Sequence, residues 1–161
     1  MAVAVMLKDK FKALLAAPAK GFTGAGRAAP PDPLVASCAI LLEMAESDQE
    51  FDPEERRLIE SMLQEHYALG PDEVKALIAQ TEKERAKHSD LFPFTHAITR
   101  SYSPEEKRSL LVMVWRVIFA DGRLNPYEDQ LAHRLQRMLA VNHSLLMEAN
   151  QLAREEAERG R

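Results

Sequence analysis

Apolar residues along most of this chain recur at spacings of three and four, and four prolines punctuate the pattern in one recurring way. Asp52-Pro53-Glu54-Glu55, Gly70-Pro71-Asp72-Glu73, Ser103-Pro104-Glu105-Glu106 and Asn125-Pro126-Tyr127-Glu128 each place a cap-forming residue before proline and a glutamate three residues after the cap. Proline lacks an N–H where a helix's first turn needs none, and the glutamate reaches back to the cap's backbone N–H. These four stretches therefore predict helix starts. The first helix of the core runs over Leu34–Glu46 and is strongly apolar. Others follow over Pro53–Tyr67, Pro71–Lys87 and, from a cap at Ser89 or Asp90, to about Arg100. Pro104–Ala120 carries Leu110, Leu111, Val112, Met113, Val114, Trp115, Val117, Ile118 and Phe119. A helix apolar nearly all round packs on several sides, so this one is expected at the centre. Pro126–Leu139 and a helix capped by Asn142, ending in the charged tail Arg154–Arg161, complete the set. No stretch alternates with period two between turn residues, so no sheet is expected. The fold class is all-α, a compact bundle of about seven helices.

The first 33 residues follow a different pattern. Residues 1–17 read as an amphipathic basic leader helix, with Leu7, Phe11, Leu14 and Leu15 on one face and Lys8, Lys10 and Lys12 elsewhere. Residues 18–33 are dominated by Pro, Gly and Ala and read as a linker. The helical domain is expected over 34–158. Charge divides along the same line: residues 1–27 carry net +4, leaving −8 on the rest of a chain whose total is −4. An acidic body is a poor partner for nucleic acid, which needs a basic face. It suits cations or basic protein partners, while the basic leader suits peripheral contact with an anionic membrane surface. The single cysteine, Cys38, excludes an internal disulfide and a multi-cysteine zinc site. Its apolar neighbours Ala36, Ala39, Ile40 and Leu41 predict a buried, inert thiol, in keeping with a cytoplasmic setting.

Candidate chemistry concentrates in two acidic turns. Ser47-Asp48-Gln49-Glu50-Phe51-Asp52-Pro53-Glu54-Glu55 aligns with Ala120-Asp121-Gly122-Arg123-Leu124-Asn125-Pro126-Tyr127-Glu128 at an offset of 73, matching Asp48 to Asp121, Pro53 to Pro126 and Glu55 to Glu128. An apolar helix enters each turn and an amphipathic one leaves it, which predicts two pseudo-symmetric helix-loop-helix units. Asp48, Asp52 and Glu55, and Asp121, Asn125 and Glu128, offer oxygen ligands of the kind Ca²⁺ or Mg²⁺ takes. The turns are shorter than a twelve-residue EF-hand loop. The same residues also have a purely structural reading, Asp52 and Asn125 as N-caps and Glu55 and Glu128 as their capping-box partners. Asp48 and Asp121 are explained least well by capping. Asp129 and His133 stand four apart on one helix, a metal-ligand spacing that an exposed ion pair also explains. His66, His88, His96 and His143 form no metal motif, and no phosphate loop or nucleophile elbow is present. No enzyme signal remains.

Asp90-Leu91-Phe92-Pro93-Phe94-Thr95, Ser103 to Arg108 and Leu111 to Gly122 with Glu128 resemble the TerB-like family, named for tellurite-resistance protein B, over about Leu34 to Leu152. The resemblance implies an all-helical, internally repeated fold with acidic residues that bind divalent cations. It implies a non-enzymatic stress-response role in protein scaffolds linked to membranes. Carried over, the family's Asp-Gly-to-Glu pattern falls on Asp121, Gly122 and Glu128, and its degenerate first copy on Asp48 and Glu55. Gln49 stands where the second copy has glycine. The alternative is a protein-interaction or membrane-peripheral module without metal.

Overall fold

The computed structural model describes residues 9, 31–46, 53–120 and 126–159, the last range without the side chains of 126–128. Among these residues there are seven helices and no strand: α1 Pro33–Glu46, α2 Pro53–Tyr67, α3 Pro71–Ala86, α4 Phe92–Ser101, α5 Pro104–Phe119, α6 Pro126–Met138 and α7 His143–Arg159. The expected all-α class is what forms. The basic leader, apart from the exposed helical Asp9, and most of the linker lie outside the described residues.

The capping logic holds where it is described. Ser103 Oγ accepts from Glu106 N (3.2 Å) while Ser103 N donates to Glu106 Oε1 (3.1 Å), a complete capping box at α5. At α3 the glycine cap supplies only its N–H, donated to Glu73 Oε1 at 3.1 Å. A further proline start emerges at α1: Asp32 Oδ1 accepts from Leu34 N at 2.8 Å, and Pro33 takes the first helical position. The helix therefore begins one residue before its expected start. Asp90 accepts from Phe92 N at 2.9 Å and opens α4.

Two helices share the centre. α1 packs against α2, α3, α4 and α5, and only Pro33, Glu43 and Glu46 along it are not buried. α5 packs against α1, α2, α6 and α7, its longest interface being with α7. The sequence pattern singled out α5, but α1 is the more enclosed. Its run of small residues (Ala36, Ser37, Cys38, Ala39, Ala45) lets neighbours approach from every side, whereas α5 keeps Arg108, Ser109 and Arg116 at the surface. The charged C-terminal residues are helical through Arg159. Ala153 is buried, and the Arg154 guanidinium lies 5.3 Å from the centre of the Phe119 ring, so α7 clasps the end of α5.

α2 and α6 end alike. Ala68 (φ 53°) and Ala140 (φ 55°) adopt the left-handed conformation. In each case the next residue's N–H returns to a carbonyl five positions back, Leu69 N to Gln64 O at 3.0 Å and Val141 N to Gln136 O at 3.2 Å. These are Schellman caps built on alanine where glycine is usual. A Cβ in that conformation costs roughly 1–2 kcal/mol, partly offset by glycine's greater freedom when unfolded. Ala68→Gly and Ala140→Gly should each raise stability by up to about 1 kcal/mol, read from urea midpoints. A lowered midpoint would contradict the cap assignment.

Candidate functional site

The two acidic turns join helices that pack on each other, α1 with α2 and α5 with α6. Of the six proposed oxygen ligands, Asp48, Asp52, Asp121 and Asn125 lie outside the described residues, and Glu128 is placed in α6 without its side chain. Glu55 is described: it sits in the first turn of α2 and is only 9 % exposed, unusual for a carboxylate. Among the described residues no group of three or more His, Cys, Asp and Glu side chains is placed to hold a metal ion.

The C-terminal end of α1 is acidic, and its carboxylates are engaged. Arg85 of α3 reaches the end of α1, where its Nη2 stands 2.6 Å from Glu46 Oε2 and 2.9 Å from Glu43 Oε2. Its Nη1 bonds Glu46 Oε1 at 3.1 Å and Glu82 Oε1 at 3.2 Å. The fork-on-fork pairing with Glu46 raises the guanidinium's already high pKa. Three carboxylates around one cation leave a net charge of −2 on this cluster. A cavity of about 340 Å³ opens beside it, lined also by His88, Ser89, Asp90 and Phe94. Its chemistry suits a basic group more than an anion.

A second cavity, about 320 Å³, lies between α2, α5 and α7. Met62, Val112, Met113 and Leu152 give it apolar walls, and His66, Glu65, Arg108, Arg116 and Glu156 line its rim. The arginines are held by ion pairs across the α5–α7 interface, Arg108 to Glu148 at 2.9 Å and Arg116 to Glu156 at 3.6 Å. Burial lowers the His66 pKa, favouring the neutral ring.

Neither cavity presents a nucleophile with a base. Cys38 is fully buried in α1, and burial pushes its thiol up to about 12, against which hydrogen bonding to Thr81 works only weakly. The expected inert thiol is what the fold provides. A thiol reagent at pH 8 should leave it unmodified in the native chain and titrate one thiol after denaturation. Rapid native labelling would contradict that burial.

Asp129 and His133 do pair, as their spacing suggested. His133 Nδ1 lies 2.9 Å from the Asp129 carbonyl oxygen and 3.6 Å from its carboxylate. His66, His88 and His96 each lie against an aromatic ring, Tyr67, Phe94 and Phe92 respectively. His133 and His143, far apart in sequence, come together with ring centroids 6.0 Å apart. Sequence spacing offered no signal for that pair, because the α6–α7 turn creates it. No helix among the described residues is long and apolar enough to cross a membrane.

Comparison with known proteins agrees with this architecture. A crystal structure titled as a protein of unknown function, PG1108 from Porphyromonas gingivalis W83, superposes with a TM-score of 0.59 at 16 % identity. The match covers 76 % of this chain and 94 % of that one, and at this identity it speaks to the fold alone. No curated protein matches the sequence. The family model described as tellurite resistance protein TerB matches residues 34–151, from the first turn of α1 into α7. The chain belongs to the TerB family.

Proposed function

We propose that this chain is a non-enzymatic, stress-linked scaffold protein of the tellurite-resistance type that binds Ca²⁺ or Mg²⁺ through its acidic turns. The observation that carries this reading is the repeated turn itself. Asp48, Asp52 and Glu55 in one copy, and Asp121, Asn125 and Glu128 in the other, belong to sequence segments that connect two helices packed on each other. Packed helices on either side supply the fixed frame that oxygen ligands need for a hard cation. The net charge of −8 outside residues 1–27 favours cations over the tellurite oxyanion as the direct ligand. Calorimetric titration with Ca²⁺ and with Mg²⁺ tests the reading. Wild type should bind at least one of them, and Asp121→Ala and Glu128→Ala should each weaken binding at least tenfold. Absence of heat from wild type above dilution removes the metal reading.

A second reading, a docking module without metal, draws on Phe92, which is 61 % exposed at the first position of α4. Large exposed aromatic rings are typical anchors of interaction surfaces. Co-sedimentation with anionic liposomes, with and without residues 1–27, separates lipid contact through the leader from protein docking through the helical domain.

A further inference from the structure

We propose that His133 and His143 form a two-imidazole site for a borderline transition-metal ion, Zn²⁺ being the probe of choice, separate from the acidic turns. The two rings lie 6.0 Å apart at their centroids, with planes inclined by 31°. With Zn–N bonds of about 2.0–2.1 Å, two imidazoles on one tetrahedral ion have centroids roughly 5 Å apart. The observed separation exceeds that by about 1 Å, so χ rotations of these two partly exposed side chains have to bring the ring nitrogens onto one ion. Water completes the coordination, as two protein ligands leave positions open.

His133 is already set up as a ligand. Its Nδ1 faces the Asp129 carbonyl oxygen at 2.9 Å and the Asp129 carboxylate at 3.6 Å, so Nδ1 carries the proton. In the neutral ring that leaves Nε2 with a bare lone pair. An outer carbonyl or carboxylate that orients a histidine and fixes its tautomer is the usual support behind a metal-bound imidazole. The His143 ring makes no hydrogen bond among the described residues.

The backbone holds the two rings in register. His133 stands mid-way along α6. The Schellman cap at Ala140 turns the chain, with Gln136 Nε2 also bonding Val141 O at 3.4 Å. Asn142 Oδ1 then accepts from Leu145 N at 2.8 Å and opens α7 at His143. Both rings thus stand on helices joined by a closed turn, the arrangement that gives precise placement.

The donor atoms decide which ions fit. Arg134 and Arg137 line the same cavity of about 440 Å³ as Asp129 and His133. Their charge weakens every divalent cation alike, so selection rests on the donor atoms, imidazole nitrogens favouring Zn²⁺, Cu²⁺ or Ni²⁺ over Ca²⁺ and Mg²⁺. Selection here runs opposite to that of the acidic turns.

The test is Zn²⁺ titration of the full chain by calorimetry, with histidine ring signals followed by ¹⁵N NMR. One ion should bind, moving the His133 and His143 ring resonances and leaving those of His66, His88 and His96 in place. His143→Ala and His143→Gln, at an exposed position, should each weaken binding at least tenfold with an unchanged helical circular dichroism spectrum. His88→Ala and Asp121→Ala should leave it within twofold of wild type. Zn²⁺ binding that survives both His143 variants, that shifts other histidines instead, or that is absent from wild type at millimolar metal overturns the proposal. Loss of binding in Asp121→Ala would move the ion to the acidic turn and overturn it equally.

Discussion

Trp115→Ala should lower the unfolding free energy by about 3–5 kcal/mol, the cost of emptying a large aromatic site in a packed core. Trp115 is 1 % exposed on α5, and its ring stacks on Phe119 at 5.7 Å between centroids. It is the bulkiest fully buried side chain among the described residues. Phe119 in turn carries the Arg154 guanidinium, so the cavity would loosen the end of α7 as well as the centre. For a domain whose whole stability is on the order of 5–15 kcal/mol, such a loss brings the unfolded state within reach of physiological temperature. Trp115→Phe separates packing from polarity. Among the described residues the buried indole Nε1 has no hydrogen-bond partner, and the desolvation of such a group costs roughly 1–3 kcal/mol. Phenylalanine keeps most of the ring and removes that penalty, so it should cost far less than alanine. The measurement is urea unfolding followed by circular dichroism, since both variants lose the only tryptophan. Equal losses for alanine and phenylalanine would show that the ring's volume is not what the core depends on.

Local rules made the helices legible, and long-range contacts account for what sequence reading missed. Proline starts, glutamates at the third position and apolar spacing act within one or two turns, so the described helices begin and end within one or two residues of their expected bounds, α7 ending inside the charged tail as expected. The left-handed residues Ala68 and Ala140 were hidden because glycine is the usual signal and alanine carries none. α5 drew attention by its number of large apolar side chains, yet α1 is the more apolar helix along its length, and its small residues let neighbours approach closely, which is why it is the more enclosed. The Asp129–His133 pair was legible from its spacing of four, whereas His143 joins it only through the turn between α6 and α7. The acidic turns were legible as a repeat of residue types. Ligation depends on where side chains point across two loops, which spacing along a chain does not encode. Glu55 illustrates the difference: it is buried in the first turn of α2, which the motif does not announce.

Tyr102→Phe should cost about 1–3 kcal/mol although it removes a single oxygen atom, because that oxygen is the middle of a buried relay. Tyr102, at the end of α4, lies 2.7 Å from Ser37 Oγ of α1 and 3.0 Å from the Tyr67 hydroxyl at the end of α2. Ser37 Oγ donates to Pro33 O at 3.1 Å. Each hydroxyl has one proton, so the set is satisfied when Tyr67 donates to Tyr102, Tyr102 to Ser37 and Ser37 to Pro33. Removing the middle hydroxyl takes away Tyr67's 3.0 Å partner and leaves it only Ser37 to reach. Tyr67→Phe removes only the first donor of the chain, and Tyr102 still donates onward, so its hydrogen-bond cost should stay near 0.5–1.5 kcal/mol. Burial raises the pKa of both phenols above the ordinary value of about 10. A raised folded-state pKa means that this stability is fully present below pH ~10 and is lost above it, as the unfolded chain's phenols ionise first. Wild type should therefore weaken steeply from about pH 10 upward, and Tyr102→Phe, with one such phenol fewer, should weaken less steeply over the same range. Urea midpoints between pH 8 and 11 for the three proteins measure both effects. A Tyr102→Phe midpoint equal to that of Tyr67→Phe, or an unchanged alkaline slope, would show that the hydroxyls act singly and that no relay ties α1, α2 and α4 together.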